Sequence, residues 1–187
     1  MRIISGKYRG KKILQPKDLK TRPLKDLTKE SIFNIIIHSN KFNVPLEKSN
    51  ILDLFSGIGS FGLECLSRGS TKSTFVENYK EVLTILKKNI SNLNFVKESF
   101  IIEKDVFENL NYKVFSEKFN IIFMDPPYKE KRLSQILLQI LNYKILADQG
   151  IIIIHRQKNN EENLPKQFKI IEEKTYGISR VIFGKFY

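Results

Sequence analysis

The sequence contains one cysteine, Cys65, so no internal disulfide can staple it and a secreted disulfide scaffold is excluded. Two histidines, His38 and His155, together with that single thiol, form no zinc-ligand cluster, and no metal is expected. Long hydrophobic runs are missing as well. The longest purely aliphatic run, Ile151 to Ile154, falls far short of the ~20 apolar residues that a membrane-spanning helix needs. The opening Met1-Arg2-Ile3-Ile4-Ser5-Gly6-Lys7 is basic but has no apolar stretch behind it, so it does not read as a signal peptide. There is no repeat, no low-complexity tract and no Pro/Gly-rich linker. The expectation is a soluble, cytoplasmic, monomeric protein with no membrane partner.

What is present is a chain of 187 residues, 41% hydrophobic and 28% charged, enough to bury one domain's core. Lys and Arg total 32 against 20 for Asp and Glu, a net charge of +12. The first 25 residues carry nine of those cations and one acid, Asp18, and so hold +8 of the total. Three of the seven arginines (Arg2, Arg9 and Arg22) fall in this block, so a lysine-rich composition alone does not produce it. A basic block at one end points to a polyanion, with nucleic acid the first candidate.

Residues 2–14 alternate loosely around Gly6 and Gly10, which predicts a short strand pair. A helical pattern follows Pro23, with Leu24, Leu27, Ile32, Ile35 and Ile36 at helix-like spacing. From residue 50 onward strands and helices alternate. The strands are expected at Ile51–Phe55, Ser73–Glu77, Phe100–Lys104, Asn120–Met124 and Gly150–His155. Val82, Ile85, Leu86 and Ile90 mark one helix face, and Leu133, Ile136, Leu137, Ile140 and Leu141 mark another. Short apolar runs separated by amphipathic helices predict a doubly wound α/β fold with a mainly parallel sheet. Lys169–Lys174 and Ser179–Tyr187, joined near Gly177 without a helix, predict a closing hairpin and a final antiparallel strand.

The first strand runs into Phe55-Ser56-Gly57-Ile58-Gly59-Ser60-Phe61-Gly62, a G-x-G-x-x-G turn opening a helix. The pattern alone fits NAD, FAD and S-adenosylmethionine equally. Asp53, at the strand end beside the turn, would repel a pyrophosphate but can attract an ammonium group, which favours S-adenosylmethionine over NAD. Glu77 ends the second strand, where an acid can take both ribose hydroxyls. Asp105 follows the third strand and can accept from an adenine amino group. Phe55, Ser56, Asn78, Val106 and Asp125 complete the expected cofactor-binding set, although Phe55, Phe61 and Phe75 also read as core. Cys65 reads as core filler, and His155 and Arg156 as structural or rim residues.

Asp125-Pro126-Pro127-Tyr128, directly after the fourth strand, is the sharpest signal. Two prolines offer carbonyls but no N–H groups at fixed φ, so with the Asp125 carboxylate the loop presents acceptors to a planar NH2 group. Asp125 can stabilise the amine as it becomes cationic and take its proton, while Tyr128 offers a face on which a base can stack. The tetrapeptide does not distinguish guanine from adenine.

Behind a glycine turn of this type, Asp125-Pro126-Pro127-Tyr128 resembles the class I amino-methyltransferases. Met1 through Gly10, Thr21-Arg22-Pro23, Lys29 through Asn34, and Ile51 through Gly69 are similar to the bacterial 16S rRNA guanine-N2 methyltransferases acting on guanine 966. Leu24-Lys25 and Leu27 stand where Thr-Thr and Arg are expected in that family. The resemblance implies a class I methyltransferase fold with a seven-stranded sheet and S-adenosylmethionine held by Asp53, Gly57, Gly59, Glu77 and Asp105. It also implies a target guanine held by Asp125 through Tyr128, in 16S rRNA or a small-subunit assembly particle. Residues 1–23 are then a basic extension touching RNA through Arg2, Lys7, Arg9, Lys11, Lys12 and Arg22, ahead of a methyl-transfer domain at 24–187. An adenine-N6 methyltransferase acting on DNA or RNA is the alternative.

Overall fold

The computed structural model describes residues 1–16, 24–108, 110–160 and 162–187. Its seven strands are β1 (Asn50–Leu54), β2 (Lys72–Val76), β3 (Ser99–Ile102), β4 (Phe119–Met124), β5 (Leu146–Gln157), β6 (Phe168–Tyr176) and β7 (Ser179–Phe186). The helices are α1 (Asp26–His38), α2 (Ser60–Ser67), α3 (Lys80–Asn92) and α4 (Leu133–Asn142). All seven strands form one sheet in the order β3-β2-β1-β4-β5-β7-β6. The first five in that order are parallel, and β7 inserts antiparallel between β5 and β6.

Strand alternation sorts the core into two layers. Leu52, Leu54, Ile122, Met124, Ile152 and Ile154 face the α4 stripe of Leu133, Ile136, Leu137 and Ile140. Their neighbours Ile51, Ile121, Phe123, Ile151 and Ile153 face α1 and α2 through Ile32, Phe33, Ile36, Phe61 and Cys65. Phe61 stacks between Phe33 and Phe123, at centroid distances of 5.2 and 4.0 Å. Buried on both faces, residues 51–54, 121–124 and 151–154 of these strands are apolar save for Asp53, the near-continuous pattern of a covered parallel sheet. No helix among the described residues is long and apolar enough to cross a membrane.

The N-terminal strand pair reduces to one antiparallel bridge, Arg2–Lys12, flanked by Ile3 N–H donating to the Lys11 carbonyl at 2.9 Å. No longer ladder forms because the backbone donors point elsewhere. Ile4 and Ser5 N–H donate to the Glu64 carboxylate at 2.7 and 2.9 Å, and Tyr8 N–H donates to Ser67 Oγ at 3.0 Å. Gly6, at φ 81°, lies so close to α2 that a Cβ there would stand 1.9 Å from the Ser67 carbonyl oxygen. Ile3 and Ile13 are buried with Leu63, Leu66 and the α3 face. The described part of the basic segment is thus folded onto α2 and α3. Leu14 N–H donates to Asn89 Oδ1 on α3 at 2.7 Å, and Asn89 Nδ2 donates to the Ile58 carbonyl at 3.1 Å, tying the segment's end to the glycine turn.

Candidate active site

The chain runs outward from β1 through β2 to β3, then returns to lay β4 on the other side of β1. At this reversal the carboxyl ends of β1 and β4 part into a crevice. A cavity of about 430 Å³ opens there, within the range of a small-molecule site.

The β1 side is the glycine turn. Phe55 holds φ 63°, a left-handed conformation that is strained for a bulky residue and recurs at ligand sites. Its ring lies 5.6 Å from that of Phe107 and borders the cavity. Ser56 N–H donates to the Val76 carbonyl at 3.0 Å, pinning the turn to β2. Gly59 caps α2 at φ 84°, and a Cβ on it would come within 2.5 Å of Leu86 Cδ1, so this glycine is needed for packing against α3.

Asp53 is 1% exposed. Its Oδ2 accepts from Gly62 N–H at 3.0 Å, while Oδ1 is buried and has no partner. Burial pushes its carboxyl well above the usual range against the pull of the Gly62 bond, and Asp125 and Glu77 add to the rise. An orphaned buried acceptor bordering a cavity fits a ligand carrying an ammonium group. Glu77 is fully engaged. Its Oε2 accepts from Gly57 N–H at 2.8 Å, and its Oε1 from Asn78 and Tyr79 N–H at 2.9 Å each. Asp53, Phe55, Ser56, Gly57, Glu77, Asn78 and Asp125 through Tyr128 all border the cavity. Gly59, Asp105 and Val106 do not. Asp105 accepts from Phe107 and Glu108 N–H in its own turn and reaches the cavity wall only through Asn78, whose Nδ2 donates to it at 2.6 Å. Val106 belongs to the α4-side core.

On the β4 side, Asp125 is 19% exposed, and its Oδ1 accepts a 2.8 Å hydrogen bond from His155 Nδ1. Tyr128 meets His155 edge to face at 6.4 Å between ring centroids. Arg156, almost wholly buried, donates to the Pro127 carbonyl at 3.0 Å and the Glu130 carbonyl at 2.6 Å. It reaches the Pro126 and Tyr128 carbonyls only at 3.4 Å, and its Nε pairs with Glu162. Asn160 Nδ2 donates to the Tyr128 carbonyl at 2.7 Å. The Pro127 carbonyl is therefore committed to Arg156, which narrows the acceptors expected for an amine to Asp125 and Pro126.

His155, which reads from the sequence as a structural or rim residue, lines the cavity and contacts Asp125. Its position at the carboxyl end of the fifth strand, the same edge logic that selects Glu77, was the signal for it. Leu24, Lys25, Ile178 and Ser179 also border the cavity, and nothing local marked the last two. Arg22, with the rest of Thr21-Arg22-Pro23, lies outside the described residues. Arg2, Lys7, Arg9, Lys11 and Lys12 are exposed and have no acidic partner among the described residues. Cys65 is buried in the core, where burial pushes its thiol up and leaves it unreactive.

Residues 1–185 match the family described as Conserved hypothetical protein 95. The chain belongs to this family. The family resemblance read from the tetrapeptide and the N-terminal segments is met. One relative is YlbH of Bacillus subtilis, 33% identical over 189 residues, covering 99% of this chain and 98% of that protein. Ribosomal RNA small subunit methyltransferase D of Haemophilus influenzae is 31% identical, covering 95% and 90% respectively. Among solved structures, yhhF of Escherichia coli superposes with a TM-score of 0.80 at 24% identity, covering 98% of this chain and 96% of that one. For this Conserved hypothetical protein 95 member, the expected class I methyltransferase fold is observed.

Proposed function

We propose that the protein transfers a methyl group from S-adenosylmethionine to the exocyclic N2 of a guanine in 16S rRNA of the small ribosomal subunit. One observation carries the reading: Asp125-Pro126-Pro127-Tyr128 and the orphaned buried oxygen of Asp53 border the same cavity. The near-full-length relative named as a small-subunit rRNA methyltransferase supports it. S-adenosylmethionine supplies a methyl group on a sulfonium, ready for transfer to a nucleophile without a metal or a covalent enzyme intermediate.

The chain's own residues bind, orient and accept a proton. Asp53 Oδ1 receives the ammonium of the methionine half, and the backbone at Ser56 and Gly57 lines its path. Glu77 takes the ribose hydroxyls in exchange for some of its present backbone donors. Asn78, with Asp105 and Val106 behind it, forms the adenine end. An exocyclic amine is a poor nucleophile because its lone pair is delocalised into the ring. Asp125 and the Pro126 carbonyl hold its two N–H groups so that the lone pair points toward the methyl carbon. Asp125 stabilises the cationic amine and takes the proton it sheds. Tyr128 stacks on the base.

Residues 1–23 act as the RNA-contacting extension of a methyl-transfer domain at 24–187. Arg2, Lys7, Arg9, Lys11 and Lys12, with Arg22, meet rRNA phosphates, and the protein works as a cytoplasmic monomer. Incubation with S-adenosylmethionine and unmethylated 16S rRNA, small-subunit particles or duplex DNA, followed by nucleoside mass spectrometry, tests the reading. N2-methylguanosine in rRNA or particles is expected, and the preferred arm identifies the natural substrate. N6-methyladenine as the sole product overturns the guanine assignment.

A further inference from the structure

Consecutive strand residues point to opposite faces, so the pair His155–Arg156 at the end of β5 can grip a loop from both sides. The register places it beside the right loop. Met124, the last residue of β4, pairs with Ile154, so the chain leaving β4 as Asp125-Pro126-Pro127-Tyr128 runs directly against this pair. On one face Arg156 holds the loop's backbone through the Pro127 and Glu130 carbonyls and is itself anchored by Glu162. Two prolines remove further backbone freedom. The torsions of the Asp125 side chain are then the main freedom left in the acceptor set, and His155, on the other face, holds one of its oxygens.

We propose that His155 is a positioning residue for methyl transfer: its Nδ1–H fixes the Asp125 carboxylate through Oδ1, so that Oδ2 is presented to the target amine. A carboxylate only accepts, which requires the Nδ1-protonated form of the ring. His155 Nε2 is buried without a partner, so no competing contact pulls the ring away from Asp125. The inference rests on the methyl-transfer reading above, and its test separates the two.

The first readout needs no turnover. With only two histidines in the chain, His38→Gln leaves His155 as the single imidazole. Long-range 1H–15N spectra are expected to show a proton on Nδ1, with a resonance that moves in Asp125→Asn. An unprotonated Nδ1 overturns the proposal. The second readout compares two amides. The Asn side chain places an N–H near the ring's Nδ1 position, whereas the longer Gln side chain places it near Nε2. His155→Gln is expected to lose about 100-fold in kcat, as misplaced reacting groups do, and His155→Asn to recover about tenfold or more of that loss. KM for S-adenosylmethionine and the thermal shift it induces should match wild type in both, which also shows that both fold. Equal kcat in the two variants overturns the proposal. Absence of N2-methylguanosine from wild type overturns the underlying reading instead, and leaves the spectroscopic result standing.

Discussion

Asp53 and Asp125 are two carboxylates on one cavity with opposite environments, and their substitutions should separate binding from chemistry. Asp53 is sealed from water and holds one orphaned oxygen, a condition that disfavours its charge until a cation arrives. A carboxyl whose folded pKa is raised stabilises the fold at low pH and loses that contribution as pH rises. The loss begins near the ordinary value of 3.8 and is complete above the raised folded value. Asp53→Asn should therefore match the wild-type apo protein in stability at the acid end and exceed it near neutrality, as measured by urea unfolding across pH. The same variant should bind S-adenosylmethionine about 10- to 100-fold more weakly, since a charge-assisted hydrogen bond worth ~1.5–3 kcal/mol is lost. Weaker apo stability at neutral pH would show that Asp53 is a structural anion. Asp125→Ala should do the reverse, abolishing methyl transfer by about 1000-fold or more while calorimetry finds cofactor affinity within about threefold of wild type. Equal loss of affinity would make Asp125 part of the cofactor site. The acidic members of the site are legible because each lies at or just beyond the carboxyl end of a strand. His155 lies near such an end too, but a lone histidine after four isoleucines reads equally well as the polar end of a core strand. Only the β4–β5 register shows what it faces.

At the level of elements, a buried polar joint connects α1, α2 and the N-terminal segment. Lys29 and Glu64 are both wholly buried, 3.4 Å apart. Glu64 also accepts from Ile4 and Ser5 N–H and from Arg68 Nε, and Lys29 Nζ donates to the Arg2 carbonyl. Burial pulls the Lys29 pKa down, and Glu64 resists that pull. Removing Glu64 strands a buried ammonium, which costs roughly 3–5 kcal/mol. Glu64→Gln should thus lower unfolding free energy by about that amount. The double variant Lys29→Met/Glu64→Gln should recover at least ~1 kcal/mol of it, because the stranded charge is gone. Strictly additive losses in denaturant titrations would show that the two groups do not interact. This joint also explains what the sequence did and did not disclose about the fold. The parallel strands β4 and β5 are readable because burial on both faces gives them unbroken apolar runs at 121–124 and 151–154, and α4 because its stripe is complete. The N-terminal segment was not, because its backbone groups pair with side chains of Glu64, Ser67 and Asn89, some 59 to 75 residues away, which no local pattern encodes.

Across the whole molecule, charge and cavity are joined by a rigid connection. Most of the net charge of +12 sits in the first 25 residues. The described part of that block is fixed to α2 by Glu64 and Ser67 and to the glycine turn through Asn89, so its cations keep a set position relative to the cavity. A fixed array of exposed cations can dock a phosphate backbone in one register and bring a chosen base to Tyr128, which a floppy tail cannot do. Each phosphate neutralised adds ~0.7–0.9 to the slope of log affinity against log salt. Reversing Arg9, Lys11 and Lys12 to Glu should weaken binding to 16S rRNA and reduce the magnitude of that slope by about two to three, as read by filter binding over a salt series. Melting temperature should not change, because all three side chains are exposed and have no acidic partner among the described residues. Cofactor affinity should not change either, because none of the three borders the cavity. An unchanged salt slope would place the RNA contact elsewhere on the protein. A reduced slope with methyl transfer intact at low salt would show that these cations supply affinity while the cavity alone selects the base.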